Sequence, residues 1–158
     1  MRKKHNIWVV VADGAHARFL APDEQISGLQ PAGPVELEAT EEGRHSRDLK
    51  SDRPGRSFGS SGTGVRHAIE PKHDYHKMEK HKFAVEIADV LDHAALRNEF
   101  DSLILVAPSR SLGELRELLS KHVKDRLKHE VPKDLIKTPA PELWAAVEPA
   151  VKNILVQL

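Results

Sequence analysis

The sequence predicts an α/β fold, a mixed five-stranded sheet with helices on its faces. Two short runs, at residues 7–12 and 102–107, are almost wholly apolar and rich in β-branched side chains, as strands buried on both faces are. Apolar residues recur at helical spacing only in the second half of the chain. The predicted order is β-β-β, a long loop, then α-β-α-β-α, so an N-terminal antiparallel meander precedes the crossover connections.

The first three strands are predicted from a turn and from alternation. Asp13-Gly14 is a strong turn sequence between the first strand and a second strand at 15–20. Residues 35–39 alternate between polar and apolar side chains, as a half-buried strand does. These three strands are expected to pair as a meander.

The second half of the sequence predicts three helices and two strands. The first helix begins near Tyr75, and Ser111 with Glu114 fits a capping box for the next. Residues 121–129 are ambiguous, and a short helix leading into a strand at about 126–131 is favoured because that strand completes the sheet. Thr138 followed by Pro139 fits the N-cap and N1 positions of the last helix. The apolar stripe of the first helix comprises Phe83, Ala84, Ile87, Ala88, Leu91, Ala94 and Ala95.

Length and composition limit the classes of protein. The 158 residues are expected to form one domain, 1–158. The chain has no Cys, which excludes disulfides, zinc–thiolate sites and thiol nucleophiles. No apolar stretch approaches the 18 or so residues of a membrane span, and the run at 7–12 is too short for a signal peptide. A cytoplasmic protein without a membrane partner is expected, and the oligomeric state stays open.

The charges are balanced over the whole chain but not along it. Lys and Arg total 24, as do Asp and Glu, yet residues 43–82 contain ten Lys or Arg against five Asp or Glu. That segment therefore carries +5 and the remainder −5, and five of the ten histidines also lie in it. A local excess of positive charge indicates an anionic partner, although a solvated loop has the same composition.

The loop at about 43–73 is the expected working part of the molecule. Arg53 and Arg56 flank a Pro-Gly turn, so their guanidinium groups are placed to converge on one anion. Glycines further along let backbone N–H groups approach a phosphate, but neither a P-loop nor a Rossmann fingerprint is present. The candidate anion- or RNA-binding residues are Arg44, Arg47, Arg53, Arg56, Arg66, Lys72, Gly55, Gly62 and Gly64.

Histidines supply the remaining candidates for chemistry. His67 and His73 are candidate general bases, and no cofactor is expected. His73 and His76 are three residues apart and could share a helix face, where imidazoles suit Zn²⁺ or Ni²⁺. That spacing matches no standard metalloenzyme motif, and a solvated helix start is the simpler interpretation. The expectation is therefore that no metal is bound.

Several motifs resemble the bacterial host-attachment protein family. They begin with residues 8–15 (WVVVADGA), followed by 17–19 (ARF) and the central motif 51–56 (SDRPGR) with Phe58. Further matches are 82–84 (KFA), 105–108 (LVAP), 112–116 (LGELR) and 132–135 (PKDL). The resemblance covers nearly the whole chain in order. It implies a role in the attachment of bacteria to host cells and supplies no mechanism.

The order of elements is also similar, more distantly, to the middle domain of archaeal and eukaryotic class 1 peptide-release factors. That resemblance implies a basic, glycine-rich loop that leads into a long helix and contacts RNA. In those factors the loop carries Gly-Gly-Gln, whose Gln positions water at the peptidyl-tRNA ester. Here the nearest stretch is 62–65 (GTGV), and no glutamine lies in the loop. The resemblance therefore favours RNA binding over hydrolysis.

Two main hypotheses follow, with the question of enzymatic activity left open. The first is a binding module that contacts tRNA or the ribosome through the loop, without DNA sequence specificity, and affects host attachment indirectly. The second is a hydrolase of an ester or phosphodiester, with His67 or His73 as general base and the arginines stabilising negative charge. A directly exposed adhesion factor is a third possibility, and the lack of an export signal argues against it.

Overall fold

The structure is a computed structural model that describes residues 4–34, 36–39 and 72–158, with the side chains of the first helix described from Lys77 onward. It confirms the predicted class, a mixed sheet between helices. In chain order the elements are β1 (Ile7–Ala12), β2 (His16–Pro22), β3 (Leu29–Pro31), β4 (Leu37–Glu38), α1 (Lys72–Leu96), β5 (Ser102–Val106), α2 (Ser109–Leu118), α3 (Lys121–Lys124), β6 (Leu127–Val131) and α4 (Ala140–Val156).

Strand β1 lies at the centre of the sheet, whose order is β3-β2-β1-β5-β6. It pairs antiparallel with β2, so that Val10 faces Phe19, and parallel with β5, so that Val10 faces Leu105. Strand β6 continues the parallel part beside β5, while β3 and β4 both pair with the outer edge of β2. The carboxyl ends of β1, β5 and β6 therefore lie along one edge of the sheet, called the carboxyl edge below, and their amino ends along the opposite, amino edge.

Two hydrophobic cores form because successive side chains of β1 point to opposite faces. Trp8, Val10 and Ala12 pack with α1, α2 and α3 on one face, and the residues between them pack with α4 on the other. No residue of β1 is more than 5% exposed. Burying an aliphatic side chain this fully contributes about 1.5–3 kcal/mol relative to leaving it in water. The predicted stripe of α1 is confirmed, since all seven of its residues are buried.

The predicted helix starts are partly wrong. The capping box at Ser111 is not used, because α2 already begins at Ser109 with Pro108 as its N-cap. The N-cap of α4 is Pro139 rather than Thr138. In both cases a proline with an extended backbone immediately precedes the helix. Because proline disfavours a helical conformation of the residue before it, the helix begins only after the proline. Among the described helices, none is long and apolar enough to cross a membrane.

The N-terminal strands differ from the prediction in one respect. The third predicted strand, at 35–39, is present as the shorter β4, and an additional strand, β3, pairs with the last residues of β2. The sheet therefore has six strands rather than five. The sequence does not indicate the pairing of β2 with β3, because it contains Pro22 and Pro31 and proline is unfavourable in strands. Proline is tolerated there because β3 lies at the edge of the sheet.

An ion pair joins α2 to the edge strand β6. Arg116 donates from Nε to Oε2 of Glu130 at 3.0 Å and from Nη2 to the other carboxylate oxygen. The hydrogen bonds from the Arg116 guanidinium lower the pKa of Glu130, and the same contact raises the pKa of Arg116. Such bidentate pairs are more directional than single lysine contacts. The pair therefore links α2 to β6.

Gly33 should tolerate no side chain, whereas Gly113 should. Gly33 has a φ of +58°, and a Cβ there would lie 2.5 Å from the Trp8 ring. Gly33→Ala is expected to destabilise the protein by at least about 1–2 kcal/mol from backbone strain alone. Gly113 lies in α2, and a Cβ added there would have no other atom within 4 Å, so Gly113→Ala should stabilise the protein by about 0.5–1 kcal/mol. Thermal unfolding followed by circular dichroism measures both; equal effects of one sign would contradict the assignment.

The Arg116–Glu130 pair should contribute stability in a pH-dependent way. Because folding lowers the pKa of Glu130, the contribution is complete above the unfolded-state pKa, about 4.3, and is lost as the pH falls through the lower folded-state value. Urea unfolding should show wild type more stable than Glu130→Gln at pH 7, with the difference shrinking in acid. A difference that stays constant from neutral to acid pH would show that the charge of Glu130 contributes nothing.

Candidate functional site

Two described residues, one on each side of the interval 40–71, lie against the turn that joins β1 to β2. On the N-terminal side, the backbone N–H of Ala39 donates to the carbonyl of Ala15 at 2.7 Å. On the C-terminal side, the aliphatic stem of Lys80 covers Gly14, where a Cβ would lie 3.0 Å from its Cδ and Cε. Ala39 and Lys80 stand on either side of residues 40–71 in the chain. Described residues from both sides of that interval therefore meet at the carboxyl edge.

Asp13 shapes this turn. Its Oδ1 accepts hydrogen bonds from the backbone N–H groups of Ala15 at 2.8 Å and His16 at 2.7 Å, and its own N–H donates to the His16 carbonyl. A carboxylate that accepts backbone donors two and three residues ahead is a usual way to fix a turn. This confirms the interpretation of Asp13 as a turn residue. Its position beside the end of β5 follows from the parallel pairing of β1 with β5.

His16 follows the turn and lies between two carboxylates. Its Nδ1 is 3.3 Å from Asp13 Oδ1 and its Nε2 is 3.4 Å from Glu38 Oε2. Both ring nitrogens thus face an acceptor, so neither is directed toward a substrate as a general base requires. His16 therefore links β2 to β4, which precedes the basic segment in the chain.

Three exposed cations gather near the same edge. Helices α1 and α2 both start there, and the contact between His81 Nδ1 and Glu114 Oε2, at 3.0 Å, aligns them. One turn earlier on the two helices stand Lys77 and Arg110, and both are exposed. In the part of the chain that the structure describes, no carboxylate lies within 4.0 Å of these two or of Lys80. Lys77, Lys80 and Arg110 are called the carboxyl-edge cations below.

The start of α2 adds to the positive character of this edge. Its first turn contains no acidic residue, and no side chain caps its free N–H groups. The backbone dipoles therefore present partial positive charge at the same place as the three cations. What this arrangement can do chemically is hold an anion; among the described residues it offers no nucleophile paired with a base.

The predicted site residues lie mostly outside the described residues. Lys72, His73 and His76 fall in the first two turns of α1, but their side chains are not described. The predicted arginines and glycines lie outside the described residues. Their role stays a prediction. The other candidates, all between residues 40 and 71, are Arg44, Arg47, Arg53, Gly55, Arg56, Gly62, Gly64, Arg66 and His67.

No metal centre is formed by the side chains that the structure describes. They contain no group of three or more His, Asp or Glu placed to hold an ion. His81, next along α1 from the predicted pair His73 and His76, is bonded to Glu114. The predicted pair itself lies outside the described side chains.

Arg18 is a half-buried cation whose structural role the sequence does not indicate. Its Nη1 donates to the carbonyls of Ile136, at 3.2 Å, and Thr138, at 2.7 Å, and its side chain is 18% exposed. It thereby fastens the segment before α4 to β2, beside a cleft of about 580 Å³. The sequence predicts only that Arg18 points away from Ala17. Its acceptors are backbone carbonyls some 120 residues away, which no side-chain pattern reveals.

Comparison with known proteins identifies similar solved structures and one family. The chain is similar to the crystal structure of an archaeal translation termination factor, aRF1, at 11% sequence identity and a TM-score of 0.43. The match covers 96% of this chain and 40% of that structure, so the chain spans two fifths of the length of its neighbour. No curated protein matches. The family model described as "Protein required for attachment to host cells" matches residues 8–147, nearly the whole chain, and this protein therefore belongs to the host-attachment family.

Proposed function

We propose that this protein binds structured RNA, either transfer RNA or the ribosome, through its basic segment. Residues 43–82 carry a net charge of +5 in a chain with no net charge. Phosphate groups are the densest anionic surface that such a segment meets in a cell, and their neutralisation releases counterions, which favours binding. The charge of this segment is the first support for the proposal.

The single observation that carries the proposal is that described residues from both sides of the interval 40–71 meet at one turn. Ala39 is bonded to the β1–β2 turn, and Lys80 covers the same turn. Lys77 and Lys80 of the segment thus lie at the same edge as Arg110 of α2, which is distant from them in sequence. Cations from separate parts of the chain that share one surface favour a large anionic partner, because a small anion uses only two or three of them.

The contacts in this proposal are made to phosphate and sugar. Such contacts fix the position of a nucleic acid and read little of its sequence, so no DNA sequence specificity is proposed. Within residues 43–82 only Phe58 and Tyr75 are aromatic. Base stacking is correspondingly minor. The side chains proposed to make these contacts are Arg44, Arg47, Arg53, Arg56, Arg66, Lys72, Lys77, Lys80 and Arg110.

Hydrolysis is the less favoured activity. It would require His67 or His73 as a base within reach of a scissile ester. Among the described residues, one hydroxyl lies against an imidazole, where Ser102 Oγ is 2.8 Å from His5 Nε2. Ser102 is 1% exposed, and it stands at the amino edge, away from the basic segment. The pair stabilises the buried hydroxyl and does not support a nucleophilic role.

The family description assigns a requirement in attachment to host cells. We place the protein in the cytoplasm and propose that its effect on attachment is indirect. An RNA-bound factor changes which proteins a bacterium makes or how well it makes them, and the surface that meets the host changes as a consequence. This order of events connects the family description with the basic segment.

Arg53→Ala combined with Arg56→Ala should weaken RNA binding without unfolding the protein. Removing two phosphate contacts should flatten the log–log dependence of affinity on salt by about two units. Affinity for a folded transfer RNA and co-sedimentation with ribosomes measure the effect. A large fall in melting temperature would show that these arginines support the fold. Absence of RNA binding by the wild type, even at low salt, would refute the proposal.

Lys80→Ala should reduce the salt dependence by about one unit, because it removes one contact at the carboxyl edge. Lys152→Ala is the matched control. It also removes one exposed lysine, but from α4, where Lys152 pairs with Glu148 at 2.7 Å. Fluorescence anisotropy with the same transfer RNA compares the two variants. Equal losses from both would mean that net charge alone, rather than the carboxyl edge, governs binding.

A further inference from the structure

A second basic surface lies at the amino edge of the sheet. Residues 121–129 contain four Lys or Arg against one acidic residue, together with two histidines. Of the four cations, Lys121 faces that acid, with its Nζ 3.2 Å from Asp125 Oδ2. Within the described structure the other three have no carboxylate within 4.0 Å. Lys121, Lys124, Arg126 and Lys128 are called the α3 patch below.

Arg126 is held in place by neutral acceptors. Its Nη1 donates to the carbonyl of His122 at 2.9 Å, and its Nη2 donates to Oδ1 of Asn98 at 3.1 Å. The guanidinium is therefore fixed in direction, and no described carboxylate lies within 4.0 Å of it. This differs from Arg116 and Arg97, each of which faces a carboxylate. A positioned, uncompensated guanidinium is the geometry that favours recognition of phosphate.

The elements beneath the patch are firmly packed. Val123 of α3 is fully buried, and the N-cap residue Ser120 accepts from the Val123 N–H and donates to Asp92. Asn98 has a φ of +57° at the end of α1, where its N–H bonds to the Ala95 carbonyl, the usual left-handed helix end. The cations of the patch thus stand on a fixed surface, which lowers the entropy lost on binding.

Helix α1 connects this surface to the first one. Lys80 lies about two turns after its first residue, Lys72, and Asn98, which holds Arg126, follows its end. The roughly 16 residues from Lys80 to Leu96 place the two clusters about 24 Å apart along the helix. A free phosphate or a single nucleotide is too small to reach both clusters, whereas a nucleic-acid duplex presents phosphates continuously over that distance.

From this arrangement we infer that the α3 patch is a second contact surface for the phosphate backbone of structured RNA. The inference rests on the proposed RNA binding and extends it to the opposite edge of the sheet. The basic segment and the carboxyl-edge cations form one contact, and the α3 patch forms the other. An RNA that is longer than the distance between the two clusters, about 24 Å, engages both of them. This requirement selects folded RNA over free nucleotides.

The test uses the full chain and a labelled, folded transfer RNA titrated at about 50, 100 and 200 mM salt. Lys124→Ala with Lys128→Ala should weaken binding several-fold and flatten the log–log salt dependence by about two units. Lys152→Glu is the control, since it changes the net charge by the same amount outside the patch. An equal effect of the control would overturn the inference, as would no effect of the double variant.

Asn98→Gly tests the positioning of Arg126. Glycine adopts the left-handed helix end readily, so the melting temperature should hardly change while the Arg126 fork loses its amide acceptor. Binding should weaken by less than in the double variant. If stability and binding both stay at wild-type values, Asn98 has no positioning role, and the case for recognition by Arg126 fails.

The Arg53→Ala/Arg56→Ala variant separates this inference from the proposed function. Loss of binding in that variant alone would leave the basic segment as the RNA site and overturn the α3 patch. Loss in the α3-patch variant alone would support the patch and overturn the role of the basic segment. A wild-type protein that binds anionic lipid vesicles but no RNA would overturn both.

Discussion

Strand β1 is buried on both faces and paired along both edges, and the other parts of the structure depend on this. Its alternate side chains belong to two separate cores, so the helices of both faces are packed on a single strand. Its antiparallel pairing with β2 requires the tight turn at Asp13-Gly14, and its parallel pairing with β5 requires the crossover through α1. The point at which turn and crossover meet is the carboxyl edge. A functional surface at that edge is consequently positioned by the most deeply buried residues of the protein.

Much of this frame was predictable because burial leaves a strong pattern in the sequence. Ile7–Ala12 matched its predicted bounds, since a strand covered on both faces has no polar position to blur its limits. The apolar stripe of α1 was equally clear. The predicted short helix followed by a strand near the end of the sheet is also confirmed, as α3 and β6. Resemblance to the host-attachment family, identified from short motifs along the chain, is confirmed by the family match.

The features that escaped prediction depend on backbone atoms and on edges. Strand β3 ends in a proline and buries little, so neither propensity nor alternation indicates it. The starts of α2 and α4 are set by prolines that precede them rather than by side-chain caps. Arg18 and Arg126 are both oriented by backbone carbonyls, and a carbonyl is present at every residue. Charge composition was sufficient to locate the basic segment. The fixed orientation of Arg126, which bonds to neutral acceptors, is visible only in the coordinates.

The contact of Ala39 and Lys80 with one turn has a consequence for how such proteins can diverge. These two residues stand on either side of the interval 40–71, and both contact the β1–β2 turn. The turn therefore positions described residues on both sides of that interval. Doubling the length of a flexible connection costs only about 0.6 kcal/mol in closure entropy. Beside the burial of a single core side chain such a cost is small, so partner preference can evolve through the length of a connection as well as through substitution while the scaffold stays constant.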